Sequence, residues 1–226
     1  MVYGTILGVV LFGSFVAQTY ALKLTFSSSV AFITGLECVI VPFMTALIFK
    51  NKITIFAIFG ALIAIFGLWL LSGATLALGA GEALALLCAI FYALYTSLNG
   101  HFVRKCELYL LVFVVFLTVS LLSFVFAFIE GSVVPNYDRE FFIAIFITAF
   151  IGTIFCYFVQ TIAQRYTTAS KAALFFCLEP VSAGFIGYFF AGEKLILIQI
   201  FGAILIIFGV IFSEFGKKFF SRSKLA

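Results

Sequence analysis

Apolar residues in this chain fall into long runs, separated by short clusters of charged and turn-forming residues. Eight runs stand out, approximately Gly4–Leu22, Val30–Phe49, Ile53–Leu71, Glu82–Gly100, Leu108–Ile129, Phe141–Ala163, Ala172–Phe190 and Leu195–Ser213. Each holds about 19–23 residues, enough for an α-helix to cross a bilayer core of about 30 Å. A membrane barrel strand would instead alternate apolar and polar positions over about ten residues. The pattern therefore predicts an all-α polytopic membrane protein with eight transmembrane helices. The connections are short and polar, such as Lys50-Asn51-Lys52 and Ala191–Lys194. The longest, from Glu130 to Glu140, carries Pro135, Asn136 and Asp138, a turn composition.

Composition removes the alternatives. Of 226 residues, 65% are hydrophobic and 10% charged, whereas soluble domains run near 45–50% and about 25%. Neither a soluble globule nor a disordered chain fits, and the lipid bilayer is the implied partner. The net charge of +4 is small and dispersed, so no nucleic-acid partner is expected. Five cysteines form no CxxC and no His-paired spacing, so no metal site or cofactor is expected. The start has no basic segment before its first apolar run, which therefore stays as a span rather than a signal peptide. Lysines and arginines then set the orientation. Lys50, Lys52, Arg104, Lys105, Arg165, Lys171, Lys217, Lys218, Arg222 and Lys224 fall on the side of the C-terminal tail, and only Lys23, Arg139 and Lys194 on the other. Cytoplasmic loops carry such an excess, so both termini are expected in the cytoplasm.

The chain also repeats itself. At an offset of 142 residues, Gln18-Thr19-x-Ala21 aligns with Gln160-Thr161-x-Ala163, and Leu36-Glu37 with Leu178-Glu179. Lys52 aligns with Lys194, Phe59-Gly60-Ala61 with Phe201-Gly202-Ala203, and Ile65-Phe66-Gly67 with Ile207-Phe208-Gly209. Over positions 18–67 there are 18 identities in 50 without a gap. One offset contains five spans, an odd number, so the copies cross the membrane in opposite directions. Such inverted repeats, related by a pseudo-two-fold axis in the membrane plane, build many secondary transporters. The second copy begins with two spans, 82–100 and 108–129, that have no counterpart in the first. A complete five-plus-five architecture would place two more helices upstream of Met1.

A Gln-Thr-x-Ala helix end, a Thr-x-x-Ser turn, Leu178-Glu179-Pro180, the Gly192–Lys194 loop and the Gly202/Gly209 helix follow in order. Together they resemble the EamA-like family of the drug/metabolite transporter superfamily, over spans three to ten of that family's ten. The resemblance implies a transporter fold of two inverted repeats. Residues 1–80 would be a partial first EamA-like repeat of three helices, 81–216 a second of five, and 217–226 a basic tail. It further implies an exporter of amino acids, metabolites or drugs in a bacterial inner membrane. The family's first helix lines the central cavity, so an inactive fragment or a partner-dependent subunit is the alternative. A homodimer is compatible with the sequence but not specified by it.

Several residues are candidates for substrate or proton chemistry. Glu37 and Glu179 each lie about eight residues into a span, where a carboxylate costs about 2.5–3.5 kcal/mol on insertion scales. Each could face a cavity as a partner for a proton or a substrate amine, or be a protonated group bonded to a neighbouring helix. Pro42 and Pro180 remove helix hydrogen bonds and are expected to break their helices. Tyr92, Tyr95, Thr96 and Asn99 follow i, i+3, i+4, i+7 spacing, one face of a helix. Tyr157, Gln160 and Gln164 make a second stripe. Either stripe could line a cavity or a hydrogen-bonded helix interface. Gly60/Gly67 and Gly202/Gly209 read as close-packing positions. Enzyme chemistry is disfavoured: the one histidine (His101) and one aspartate (Asp138) fall on opposite sides, and HExxH and GxxxxGK[ST] are absent. A channel needs no inverted pair of broken helices.

Overall fold

A computed structural model describes residues 1–25, 27–50, 53, 55–71, 79–131, 138–169, 172 and 196–222. Among these residues every regular element is helical and there is no strand. The elements are α1 (Val2–Leu24), α2 (Ser27–Thr34), α3 (Glu37–Phe49), α4 (Ile55–Leu71), α5 (Ala80–Phe102) and α6 (Leu108–Glu130). Then come α7 (Arg139–Ile145), a π-helix (Phe146–Phe155), α8 (Cys156–Tyr166) and α9 (Leu197–Arg222). Among the described residues, four stretches are long and apolar enough to cross a membrane: α1, α5, α6 and the continuous segment Arg139–Tyr166. Shorter apolar helices lie at Glu37–Phe49, Ile58–Gly67 and Leu197–Gly209. The chain is a multi-pass membrane protein. The apolar run Ala172–Phe190, with Glu179 and Pro180, lies outside the described residues apart from Ala172.

Two segments depart from continuous α-helices. The run Val30–Phe49 is divided at Gly35-Leu36, where Leu36 N–H bonds to the Ile33 carbonyl at 3.1 Å and Cys38 N–H to the Gly35 carbonyl at 3.3 Å. Pro42, expected to mark the break, lies instead inside α3. Proline lacks the N–H that would bond to the Cys38 carbonyl four residues back, so its missing bond falls within the first turn of α3, while glycine, costly inside a helix, sits at the interruption itself. Glu37 becomes the first residue of the new helix. The second departure is the ten-residue π-helix Phe146–Phe155. Thr153 Oγ1 donates to the Thr148 carbonyl five residues back, at 2.9 Å, which satisfies an acceptor in the wider register.

The helices pack through small residues and a compact apolar core. Leu7 and Leu11 of α1, Tyr95 of α5, and Leu111, Val115 and Val119 of α6 form its centre. Facing contacts give the directions. α1 runs antiparallel to α5, with Tyr3 stacked on Phe102 at 4.5 Å and Thr25 beside Glu82. α5 and α8 run parallel, their contacts advancing together from Thr96–Gln160 to Asn99–Gln164. At the far ends of α1 and α6, Lys23 Nζ and Tyr20 OH both donate to Glu130 Oε1, at 3.3 and 3.0 Å.

The contact between α4 and α9 is reciprocal. A Cβ added at Gly67 would meet the Gly202 carbonyl oxygen at 2.8 Å, and one added at Gly209 would meet the Gly60 carbonyl oxygen at 2.7 Å. Gly67 also abuts Ile206 while Gly209 abuts Ala64. Each of these pairs maps onto the other by the 142-residue offset. Backbones this close leave no room for a side chain, and lipid supplies no hydrophobic force to offset its loss. Gly67→Val and Gly209→Val are expected to lower stability by about 1–3 kcal/mol each, read as the unfolding midpoint in detergent micelles. Gly152→Ala, where the nearest atom to an added Cβ is at 3.7 Å, should leave that midpoint unchanged.

Candidate substrate and proton site

Polar side chains in lipid must find partners inside the protein, and α5 carries three of the six that are buried among the described residues. Thr96, Ser97 and Asn99 are fully buried along with Tyr95. They face α3 on one side and α8 on another, at the middle of the bundle. Thr96 Oγ1 donates to Glu37 Oε1 at 2.6 Å. The same hydroxyl accepts from Gln160 Nε2 at 3.3 Å. One threonine thus joins the carboxylate of α3 to the amide of α8.

One turn further along α5, Asn99 Nδ2 donates to Gln164 Oε1 at 2.7 Å and to Thr161 Oγ1 at 3.1 Å. Gln164 Nε2 in turn donates to the Thr96 carbonyl at 3.3 Å. The Thr161 hydroxyl donates to the Tyr157 carbonyl at 2.8 Å. Asn99 Oδ1 is left, among the described residues, as a buried acceptor with no donor.

An aromatic cluster walls the seam. Tyr95 and Tyr157 meet edge to face at 5.6 Å, and Phe15 of α1 packs on Tyr157 at 6.0 Å and on Tyr92 at 6.2 Å. Tyr92 OH donates to Gln18 Oε1 at 3.2 Å.

The structure thus draws Glu37, Tyr92, Tyr95, Thr96, Asn99, Tyr157 and Gln160 into one region. Pro42 lies inside α3, and Glu179 and Pro180 lie outside the described residues. Two members had not been singled out as candidates. Thr161 carried a signal, being half of the repeated Gln-Thr pair. Ser97, which meets Thr45 Oγ1 at 3.1 Å, carried none, because it lies off the stripe. Among the described residues no group of three or more His, Cys, Asp or Glu could hold a metal ion. The chemistry on offer is hydrogen bonding, one carboxylate and aromatic faces, which suits binding and proton exchange.

Comparisons with known proteins agree with a transport role. The model of the EamA-like transporter family matches residues 79–215. An uncharacterized transporter of Archaeoglobus fulgidus is 29% identical over 205 residues, covering 91% of this chain. The chain spans 66% of that relative's length. A solved crystal structure shares the fold with a TM-score of 0.76 at 16% identity, over 94% of this chain and 84% of the other.

The amide network sets the cost of disturbing the seam. Gln164→Leu removes two hydrogen bonds and leaves Asn99 Nδ2 with Thr161 Oγ1 alone. The expected loss is about 1–3 kcal/mol, measured by denaturant unfolding in mixed micelles. Thr148→Val, which removes a bond on the exposed π-helical stretch, should cost far less.

Proposed function

The chain belongs to the EamA-like transporter family, and from that premise we propose that it is a secondary carrier exporting small metabolites, amino acids or drugs. Two inverted repeats, residues 1–80 and 81–216, exchange conformations and expose the seam to each side in turn. The observation that carries this reading is the reciprocal contact of α4 and α9. Gly67 meets Gly202 as Gly209 meets Gly60, the pairing that a two-fold axis between antiparallel helices produces. The family match over 79–215 supports taking 81–216 as one repeat. Eight spans, with both termini cytoplasmic in a bacterial inner membrane, complete the proposed topology.

Glu37 is the proposed proton carrier, with Glu179 as its mate in the second repeat. A carboxylate beside a helix interruption, in contact with Thr96, gains or loses a proton at a cost that depends on how far water reaches it. That dependence on access links proton binding to the state of the carrier.

The test is uptake by the full chain in proteoliposomes under an imposed pH gradient. Glu37→Gln should abolish gradient-driven transport while the protein remains folded, as judged by its elution and unfolding midpoint in detergent. Unchanged gradient-driven uptake by that variant would sink the proton assignment. No transport by the native chain would favour a subunit that needs a partner.

A further inference from the structure

Four of the helices fall into two pairs. α5 and α8 are joined by the amide network and, just past their ends, by Arg104, whose Nη2 donates to the Thr167 carbonyl at 2.6 Å. α1 and α6 are joined by close packing. A Cβ added at Gly4 would meet Val114 Cβ at 2.7 Å, and one added at Gly8 would meet Thr118 Cβ at 2.5 Å. Between the pairs, the two ends differ. At one end Tyr92 OH donates to Gln18 Oε1, and Thr25 Oγ1 donates to Glu82. At the other end Tyr3 stacks on Phe102, and Leu7 and Leu11 share the apolar core with Tyr95. No hydrogen bond crosses between the pairs there among the described residues. Packing is also incomplete at that end. A slot lies between Asn99, Tyr157 and Thr161 of one pair and Leu111, Val115 and Phe116 of α6, too narrow for a water molecule. Asn99, 1% exposed, borders it with Oδ1 lacking a donor among the described residues. Turning the amides over does not remove this orphan. The Thr96 carbonyl can only accept, so Gln164 gives it Nε2 and turns Oε1 to Asn99, which must answer with Nδ2.

We propose that the two pairs part at the Asn99 end, pivoting about the Gln18–Tyr92 and Thr25–Glu82 bonds, and that water enters the slot. A buried acceptor without a donor is a penalty that lasts only while the slot stays shut. Opening exposes the apolar wall of α6 but gives Asn99 Oδ1 a donor, so one effect offsets the other. α5 and α8 move as a unit, because their amide bonds do not cross the slot. The connection from α5 to α6, with Arg104 and Lys105, lies at this end, so the opening faces the proposed cytoplasmic side. It is the place where the proposed carrier admits water, and in that it rests on the carrier reading.

The experiment is thiol labelling of the full chain in detergent micelles with 2-aminoethyl methanethiosulfonate, scored residue by residue by peptide mapping. A thiol reacts as its thiolate and is inert in apolar surroundings. Val115→Cys and Leu111→Cys place thiols on the α6 wall, where both native residues are 3% exposed. Leu7→Cys places one in the same core away from the slot, at 0% exposure. Both wall thiols should react about tenfold or more faster than the one at position 7. Adding Asn99→Leu and Gln164→Leu together to Val115→Cys replaces the amide pair by apolar side chains of similar shape, and labelling should slow about tenfold. Wall thiols no faster than position 7, or labelling unchanged by that replacement, overturn the opening. Amide deuterium exchange of the native chain needs no substitution. Residues 112–116 of α6 should exchange faster than residues 122–126, and equal or reversed rates overturn the opening. Wall labelling in a chain that carries no flux of a radiolabelled amino-acid mixture in proteoliposomes would overturn the carrier reading and leave the opening standing. Flux with an unlabelled wall would do the reverse.

Discussion

Every polar group in a lipid-spanning bundle must be satisfied by the bundle itself, and in this chain that constraint converges on Thr96. Its backbone carbonyl accepts from Gln164, and its hydroxyl accepts from Gln160 while donating to Glu37. Three polar side chains from two neighbouring helices, α3 and α8, are arranged around this one residue of α5. The rest of the seam follows, because the carbonyl fixes which way Gln164 points and Gln164 fixes Asn99. The apolar core of α1, α5 and α6 surrounds this seam without competing for its hydrogen bonds.

The α4–α9 contact meets a different constraint. Lipid tails are as apolar as leucine, so helices associate by close packing rather than by expelling water. Glycine at 60, 67, 202 and 209 lets carbonyl oxygens approach to distances that a Cβ would forbid. Because the contact pairs map onto one another, each half of the interface sees nearly the same surroundings. A near-symmetric joint of this kind favours neither helix, which is what the proposed carrier, with two states of similar energy, needs.

Much of this was legible in the sequence for physical reasons. Long apolar runs leave few options in lipid, so α1, α5, α6 and Arg139–Tyr166 fall where the runs do. The face of α5 that carries Tyr92, Tyr95, Thr96 and Asn99 follows from the helical period, since polar side chains in lipid turn inward. What hydropathy does not encode was harder. Gly35-Leu36 interrupts a run that reads as continuous, because a single glycine barely lowers hydropathy while it weakens the helix. The π-helix at Phe146–Phe155 changes hydrogen-bond register without changing composition. Partnerships between distant residues, such as Lys23 with Glu130, depend on which helix ends meet and leave no local trace.

The hydrogen-bond directions also bear on how the halves of the molecule sense one another. Glu37 lies on α3 and Gln160 on α8, and no hydrogen bond joins them directly. Both bind the same hydroxyl. With Thr96 donating to Glu37, its lone pairs are turned toward Gln160 Nε2. If the carboxylate takes a proton on that oxygen, the hydroxyl must accept where it had donated; its two lone pairs then serve Glu37 and Gln160 together, and its own hydrogen turns to a third direction. The threonine therefore ties the orientation of its hydroxyl to the protonation of Glu37 while its bond from Gln160 is kept. An apolar residue at position 96 would hold the helices together without carrying that dependence.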